Sequence, residues 1–140
     1  MPNASVSWGD PNHLVAVARE HRLELDRDAS AESHGLSAGE LLLMSLGACI
    51  AGTLRSHSSV AQMPIRELEV RLHGERLERP GRYDDFTIEV VVGGELTEKQ
   101  LATLQRVAGA CRVHTTLHNG VKTTLDVIPT GLSSSDAAGG

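Results

Sequence analysis

One segment of the sequence, from Leu41 to about Arg55, is apolar or small at nearly every position. It is preceded by Ser37-x-x-Glu40, the pattern of a capping box, in which two side chains satisfy the first free backbone N–H groups of a helix. A helix that is apolar all round is buried, because a surface helix keeps one polar face. The sequence therefore predicts a central buried helix that begins at Ser37.

The two cysteines of the chain are its strongest candidates for chemistry. Cys49 lies in the middle of the apolar helix. Cys111 follows a second helical pattern, whose apolar positions are Leu101, Leu104 and Ala108, and it continues that stripe if the helix extends so far. Redox chemistry needs one accessible thiolate and a second thiol to resolve the product. The alternative is that both cysteines are small buried hydrophobes, which is common for free cysteine.

Length and composition restrict the class of protein. The 140 residues fit one domain, expected over residues 1–130, with a low-complexity and disordered tail over residues 131–140. A net charge of −5 argues against a nucleic-acid partner. The N-terminus lacks the features of a signal peptide, and the run LLLMSLGACIAG is too short to span a membrane. We therefore expect a cytoplasmic protein with no membrane partner, where a redox pair is favoured over a permanent disulfide.

The order of apolar patterns predicts the fold class. Residues alternate between apolar and polar in HLVAVAREHRLELDRD, in RELEVRL and FTIEVVV on either side of Pro80-Gly81, and in VKTTLDVI near the C-terminus. These segments are expected to be strands, the last one closing the sheet. Thr97-x-x-Gln100 predicts the start of a second capped helix. The sequence thus predicts an α+β fold, with two helices against a mostly antiparallel sheet.

Charged residues that might assist a thiol are not singled out by their spacing. Arg19, Arg22 and Arg27 lie on the early strands, where any of them could stabilise a thiolate, although strand charges more often form a solvated face. Glu40 is a second auxiliary candidate. It leaves the helix on the side opposite Cys49, and its role in the capping box explains it.

His114 has two alternative interpretations. Together with Arg112 it could lower the pKa of Cys111. Cys111, His114 and His118 also fall at i, i+3 and i+7, a spacing that suits metal ligation on one helix face. Structural zinc has four ligands and no familiar four-ligand spacing is present, so zinc is a minor alternative and no metal is assigned. No glycine-rich phosphate loop occurs, and no cofactor is expected.

Two segments resemble motifs of the OsmC/Ohr family of osmotically inducible and organic hydroperoxide resistance proteins. GLSAGELLLMSLGACIAGTLR is similar to the family's first cysteine helix, and CRVHTTL is similar to its second cysteine motif. The capped helix ELTEKQLATLQRVAGAC also fits, and the resemblance extends from about Val15 to Val127. It implies an intertwined homodimer in which mostly antiparallel sheets wrap around two long central helices, with the cysteine sites near the subunit interface.

The resemblance also implies a cysteine-based peroxidase. Cys49 would be the peroxidatic residue and Cys111 the resolving residue. Thiolate attack on the O–O bond of an organic hydroperoxide would give a sulfenic acid at Cys49, followed by a Cys49–Cys111 disulfide. An external thiol donor, in parts of the family a lipoylated protein, would then reduce that disulfide.

The sequence departs from the family pattern at three positions. Gly39 stands where the better-known peroxidases carry a glutamate ten residues before the nucleophile, with Glu40 one step along. Ala38 and Arg112 replace two prolines, one at the helix start and one after the second cysteine. These departures favour an alternative function, an OsmC-like redox-sensing or ligand-binding protein without efficient turnover.

Overall fold

The computed structural model describes residues 3–8, 13–26 and 35–130. The candidate Arg27 and the tail at residues 131–140 lie outside these ranges. Along the described chain the elements are β1 (Ser5–Trp8), β2 (His13–Ala18), β3 (His21–Asp26), α1 (Ala38–Ser56), α2 (Ser58–Ala61), β4 (Glu67–Leu77), β5 (Arg82–Gly93), α3 (Glu98–Ala108) and α4 (Arg112–Asn119). All strand pairs are antiparallel, in the sheets β1-β2-β3 and β4-β5. The predicted α+β class is therefore confirmed.

In the N-terminal sheet β1 pairs with β2 and β2 pairs with β3, and most of the side chains are exposed. No turn between β2 and β3 was expected from the sequence, but Arg19 adopts a left-handed φ of 55° there and the chain reverses. The buried residues of this sheet are Val15 and Leu25. The chain then returns beside β3, where Leu25 and Leu36 form a parallel bridge. Trp8 remains 90% exposed at one end of the sheet.

The β4-β5 hairpin presents an apolar face to α1. The predicted alternation is confirmed, since the residues facing the core are Leu68, Val70, Leu72, Phe86, Ile88 and Val90. The strands run further toward the turn than the sequence indicated, to Leu77 and from Arg82, because both continue to pair beyond a bulge at Glu75/Arg76. Gly47 allows a close crossing, because a Cβ built there would lie 2.7 Å from Leu72 Cδ1.

Helix α1 begins as predicted but is buried on one side only. Ser37 is its N-cap, and both hydrogen bonds of the capping box are present. Leu46, Ile50 and Leu54 form the core with residues from α2, α3 and α4. The opposite face, which includes Met44 at 52% exposure, is open, so complete burial within one chain was a wrong prediction. The physical reason is that β4, α3 and α4 pack against the same half of the helix.

The length of α1 also corrects one sequence expectation. The helix has 19 residues with a mean hydropathy of 1.3, which by length and composition is enough to cross a membrane. The expectation had counted only the uninterrupted apolar run, which is shorter than the helix. Its buried face forms the core described above.

The helix that carries Cys111 differs from the predicted one. Helix α3 is capped by Thr97 as expected, but it ends at Ala108 with Gly109 as its C-cap. After a short turn, Cys111 becomes the N-cap of α4. The buried residues of α3 are Leu104 and Val107. The prediction that Cys111 extends the apolar stripe of α3 is therefore wrong, because the backbone leaves the helix at Gly109.

The predicted closing strand is absent from the described residues. Residues 121–129, here called the C-terminal arm, have no regular secondary structure. Leu125 and Val127 are 91% and 90% exposed. The alternating pattern is typical of a strand, but a strand forms only where a partner strand is available for hydrogen bonding, and the arm has none within the described chain.

Candidate functional site

The fold brings the two cysteines into contact. Cys49 lies on α1 and is partly buried, whereas Cys111 at the N-cap of α4 is 1% exposed. Both sulfurs lie at the N-terminus of α4, close enough for each thiol to affect the pKa of the other, and neither forms a disulfide. This contact arises because α4 packs against α1. Two thiols far apart in sequence therefore form one site.

The N-terminus of α4 supplies the other groups around the sulfurs. The Val113 nitrogen lies 3.5 Å from Cys49 Sγ and donates its N–H to this sulfur. The His114 nitrogen lies 3.2 Å from Cys111 Sγ. First-turn N–H groups have no acceptor within their own helix, and they carry the positive end of the helix dipole. The sulfur atoms of Cys49 and Cys111 thus cap α4 together.

These contacts give the two thiols opposite pKa directions. Burial raises the pKa of Cys49, but hydrogen bonds from Val113, Cys111 and Arg112 outweigh burial, so this pKa lies below its usual value. Burial raises the pKa of Cys111 and its neighbour Cys49 raises it further, which outweighs the His114 N–H. Cys49 is therefore the sulfur that ionises first, and Cys111 remains a protonated thiol beside it.

The predicted auxiliary residues lie in different places. Glu40 accepts a hydrogen bond from the Ser37 N–H at 3.0 Å, and this bond lowers the pKa of Glu40. Nine residues of helix separate it from Cys49, about 13 Å along the axis, so capping is its role. Arg22 pairs with Glu24 on the N-terminal sheet at 3.3 Å and is mostly exposed, so the described chain does not bring it to the cysteines.

His114 is brought to the pair through its backbone. Its ring Nδ1 lies 3.1 Å from the Gly109 carbonyl oxygen, and the ring stacks on His118 with centroids 6.2 Å apart. Among the residues that the structure describes, no group of three His, Cys, Asp or Glu side chains is placed to hold a metal ion. The spacing of Cys111, His114 and His118 therefore does not produce a zinc site there.

A cleft of about 560 Å³ lies between α1, β5 and α4, and its lining includes neighbours in sequence of both cysteines but neither cysteine itself. Its lining residues are Leu42, Leu46, Tyr83, Asp84, Asp85, Phe86, Ile88, His114, Leu117 and His118. Leu46 is three residues before Cys49 on α1, and His114 is three residues after Cys111. We call this space the α4 cleft. It combines apolar walls with a polar rim, a composition typical of sites for small organic molecules.

A side chain at position 39 would require the Tyr83 side chain to move. A Cβ built on Gly39 would overlap the Tyr83 hydroxyl group, which comes from β5. Gly39 is also one of the positions at which the sequence departs from the family pattern. The structure adds that Tyr83 occupies the space into which a residue at this position would extend.

Sequence reasoning missed the backbone donors around Cys49, because it looked for a cationic side chain. One signal was present. Gly109, shortly before Cys111, is typical of a helix end, and a residue that follows such an end is a natural N-cap for the next helix. The lining of the α4 cleft had no comparable signal, since its residues come from three separate elements.

The family profile described as OsmC-like protein matches residues 29–126. The chain belongs to the OsmC-like family. Its earlier resemblance to OsmC/Ohr proteins is thereby confirmed. A search of curated proteins found no significant match to this OsmC-like chain.

Solved structures share the fold of this OsmC-like protein. The OsmC like protein from Mycoplasma pneumoniae has a TM-score of 0.77 at 17% identity, covering 84% of this chain and 87% of that one. A hypothetical protein from Aquifex aeolicus VF5 has a TM-score of 0.70 at 19% identity, with coverages of 85% and 88%. The organic hydroperoxide resistance protein OhrB of Bacillus subtilis has a TM-score of 0.59 at 17% identity, with coverages of 85% and 92%.

Proposed function

We propose that this OsmC-like protein is a thiol-dependent peroxidase that reduces organic hydroperoxides, with Cys49 as nucleophile and Cys111 as resolving thiol. The observation that carries the proposal is the contact between a Cys49 whose pKa is lowered and a Cys111 whose pKa is raised. Peroxidase chemistry of this kind needs such an asymmetric pair, because the thiolate reacts first and the thiol reacts second.

The reaction begins at Cys49. Its thiolate attacks one oxygen of the hydroperoxide, the O–O bond breaks, and the departing alkoxide takes up a proton to become an alcohol. Cys49 is left as a sulfenic acid. Cys111 then attacks the oxidised sulfur, water leaves, and a Cys49–Cys111 disulfide forms. An external dithiol, such as a lipoyl-type reductant, exchanges with this disulfide and returns both cysteines to thiols.

The lining of the α4 cleft favours an organic hydroperoxide over hydrogen peroxide as the substrate. Leu42, Leu46, Phe86 and Ile88 give it an apolar wall. An alkyl or aryl substituent would bury its surface there, while hydrogen peroxide would gain nothing from the same contact. The polar rim would hold ordered water or the hydroxyl group of the leaving alcohol.

A homodimer is the assembly that we propose. Met44 on the open face of α1 is 52% exposed, and Trp8 and Leu125 are each about nine-tenths exposed. Exposed apolar side chains of this size support a partner surface. A second copy would bring two α1 helices together and offer its strands to the C-terminal arm. Size-exclusion chromatography with light scattering tests this proposal, and a monomer at micromolar concentration would contradict it.

The decisive experiment measures consumption of cumene hydroperoxide with dihydrolipoamide as reductant. Wild type is expected to turn over repeatedly, and Cys49→Ser to lose turnover. Cys111→Ser is the matched variant, because serine keeps the N-cap of α4 while removing the resolving thiol. It should form a sulfenic acid at Cys49 that dimedone traps. Equal consumption by wild type and Cys49→Ser would refute the proposal.

A redox sensor is the second candidate, and position 39 favours it. Gly39 stands where the better-known peroxidases of the family carry a glutamate, and the Tyr83 hydroxyl group occupies the space of a Cβ at this position. Without that carboxylate the site would oxidise once and cycle slowly. Peroxide titration separates the two functions. A sensor consumes about one equivalent of peroxide per site even when the dithiol is in excess, whereas an enzyme continues until the peroxide is exhausted.

A further inference from the structure

A second cavity, of about 320 Å³, adjoins the α4 cleft. The aliphatic side chains found in its lining but not in that of the α4 cleft are Ile50, Val90, Val92, Leu101, Leu104 and Ala108. Its polar side chains are those of Gln105 and His114. A cavity with so few polar partners favours an apolar occupant over water. We call this space the aliphatic cavity.

Two side chains belong to both linings. Ile88 on β5 and His114 on α4 line the α4 cleft and the aliphatic cavity alike, whereas every other lining residue belongs to one of the two spaces only. A side chain that lines two adjoining spaces lies at their boundary. Ile88 and His114 therefore form the partition between the cleft and the cavity.

The His114 ring has one neighbour on each side of this partition. Its Nδ1 lies 3.1 Å from the carbonyl oxygen of Gly109, which lines the aliphatic cavity. Because a carbonyl oxygen only accepts, Nδ1 carries the hydrogen of this bond. The ring also lies parallel to that of His118, which lines the α4 cleft. The donor to Cys111 is the backbone N–H of His114, so a change of side chain keeps it in place.

We propose that His114 is a specificity-determining residue, whose ring closes the α4 cleft toward the aliphatic cavity and so restricts the organic substituent to the cleft. This inference rests on the proposed function and deepens it by naming the substrate class. That class is hydroperoxides with compact substituents, branched or aromatic, since a long unbranched chain gains no burial in the aliphatic cavity. Ile88 packs against the core, so His114 is the part of the partition that a substitution removes with less effect on folding.

Binding of straight-chain alcohols to the reduced full-length protein tests this inference. 1-Hexanol and 1-decanol resemble the leaving alcohol, and isothermal titration calorimetry measures their affinities. The gain in affinity from 1-hexanol to 1-decanol should be about tenfold larger in His114→Ala than in wild type, because the open partition lets about two further CH₂ groups become buried. An equal gain in both proteins would overturn the proposal.

His114→Phe is the matched control, because it keeps a ring of similar volume and removes the ring nitrogens. Its gain should stay within about twofold of wild type, as a swap that conserves volume leaves the partition closed. A gain in His114→Phe as large as that in His114→Ala would refute the role of the ring as a barrier.

A second measurement needs no substitution. In ¹³C-methyl-labelled wild type, 1-decanol should shift the resonances of Leu42 and Leu46, which line only the α4 cleft, and leave those of Val92 and Leu101, which line only the aliphatic cavity. Shifts at Val92 and Leu101 would refute the inference, as would constant resonances at Leu42 and Leu46, whether or not His114→Ala folds. Peroxide turnover enters neither experiment. A protein that fails as a peroxidase but shows this binding pattern would therefore refute the proposed function alone.

Discussion

Gly47→Ala is the substitution whose effect follows most directly from the fold. Gly47 lies where α1 crosses β4, and a Cβ there would be 2.7 Å from Leu72 Cδ1, whereas ordinary van der Waals contact begins at 3.4 Å. Either the leucine side chain or the helix must therefore move. Overpacking of this kind costs about 1–3 kcal/mol.

The helix itself favours the same substitution. Alanine in a helix interior is more stable than glycine by about 1 kcal/mol, because the unfolded glycine has more backbone freedom. Subtracting this gain leaves an expected loss of about 0–2 kcal/mol in the free energy of unfolding. Urea denaturation at one fixed protein concentration measures it, since an oligomer's stability depends on concentration.

Two comparisons make the prediction specific. Gly109→Ala is the control, because its φ is −69° and a Cβ would meet only backbone oxygens at 3.7 Å, so its stability should stay within about 0.5 kcal/mol of wild type. In a double-mutant cycle, Leu72→Ala removes the clashing atom and should make Gly47→Ala favourable again, with a coupling of about 1 kcal/mol or more. Strict additivity of Gly47→Ala with Leu72→Ala would show that α1 does not cross β4 at this point.

Three further predictions concern the site and the helix that carries it. Cys49 should be alkylated with a midpoint below the ordinary thiol pKa of 9.0, and Cys111 above it. Because folding lowers the pKa of Cys49, its contribution to stability is complete above pH 9.0 and is lost as the pH falls through the folded pKa. Because folding raises the pKa of Cys111, its contribution to stability is present below pH 9.0 and is lost as the pH rises through the folded pKa. Identical alkylation profiles for both residues would contradict this. Leu117→Trp should narrow the α4 cleft and lower kcat/KM for cumene hydroperoxide about 5–10-fold relative to hydrogen peroxide, and an equal effect on both substrates would place the substrate elsewhere. Ser37→Ala should cost about 1 kcal/mol in urea denaturation, because it removes the N-cap of α1, whereas Ser37→Asp, which keeps an acceptor, should cost much less.

The local signals in the sequence predicted several elements correctly. Ser37 and Thr97 cap α1 and α3 at the expected residues. The alternation in β4 and β5 gave the correct buried face. Capping and alternation depend on residues within about four positions of one another, so a sequence read in short windows contains them.

Other predictions failed because they depended on contacts between distant segments. Residues 121–129 have the pattern of a strand but lack a partner strand in the described chain. Helix α1 is apolar all round, yet only the face toward β4, α3 and α4 is covered. Periodicity states which residues favour burial or pairing, and it contains no information about which surface covers them.

The site shows the same division. By itself the sequence determined that Cys49 lies on a capped apolar helix and that Cys111 follows another. Only the tertiary structure decided that Cys111 caps α4, that α4 lies against α1, and that the backbone N–H group of Val113 reaches Cys49. Every residue except proline carries a backbone N–H group, so residue identity does not mark which ones will act as donors. Their direction is fixed when the two helices pack, and that packing depends on the whole core.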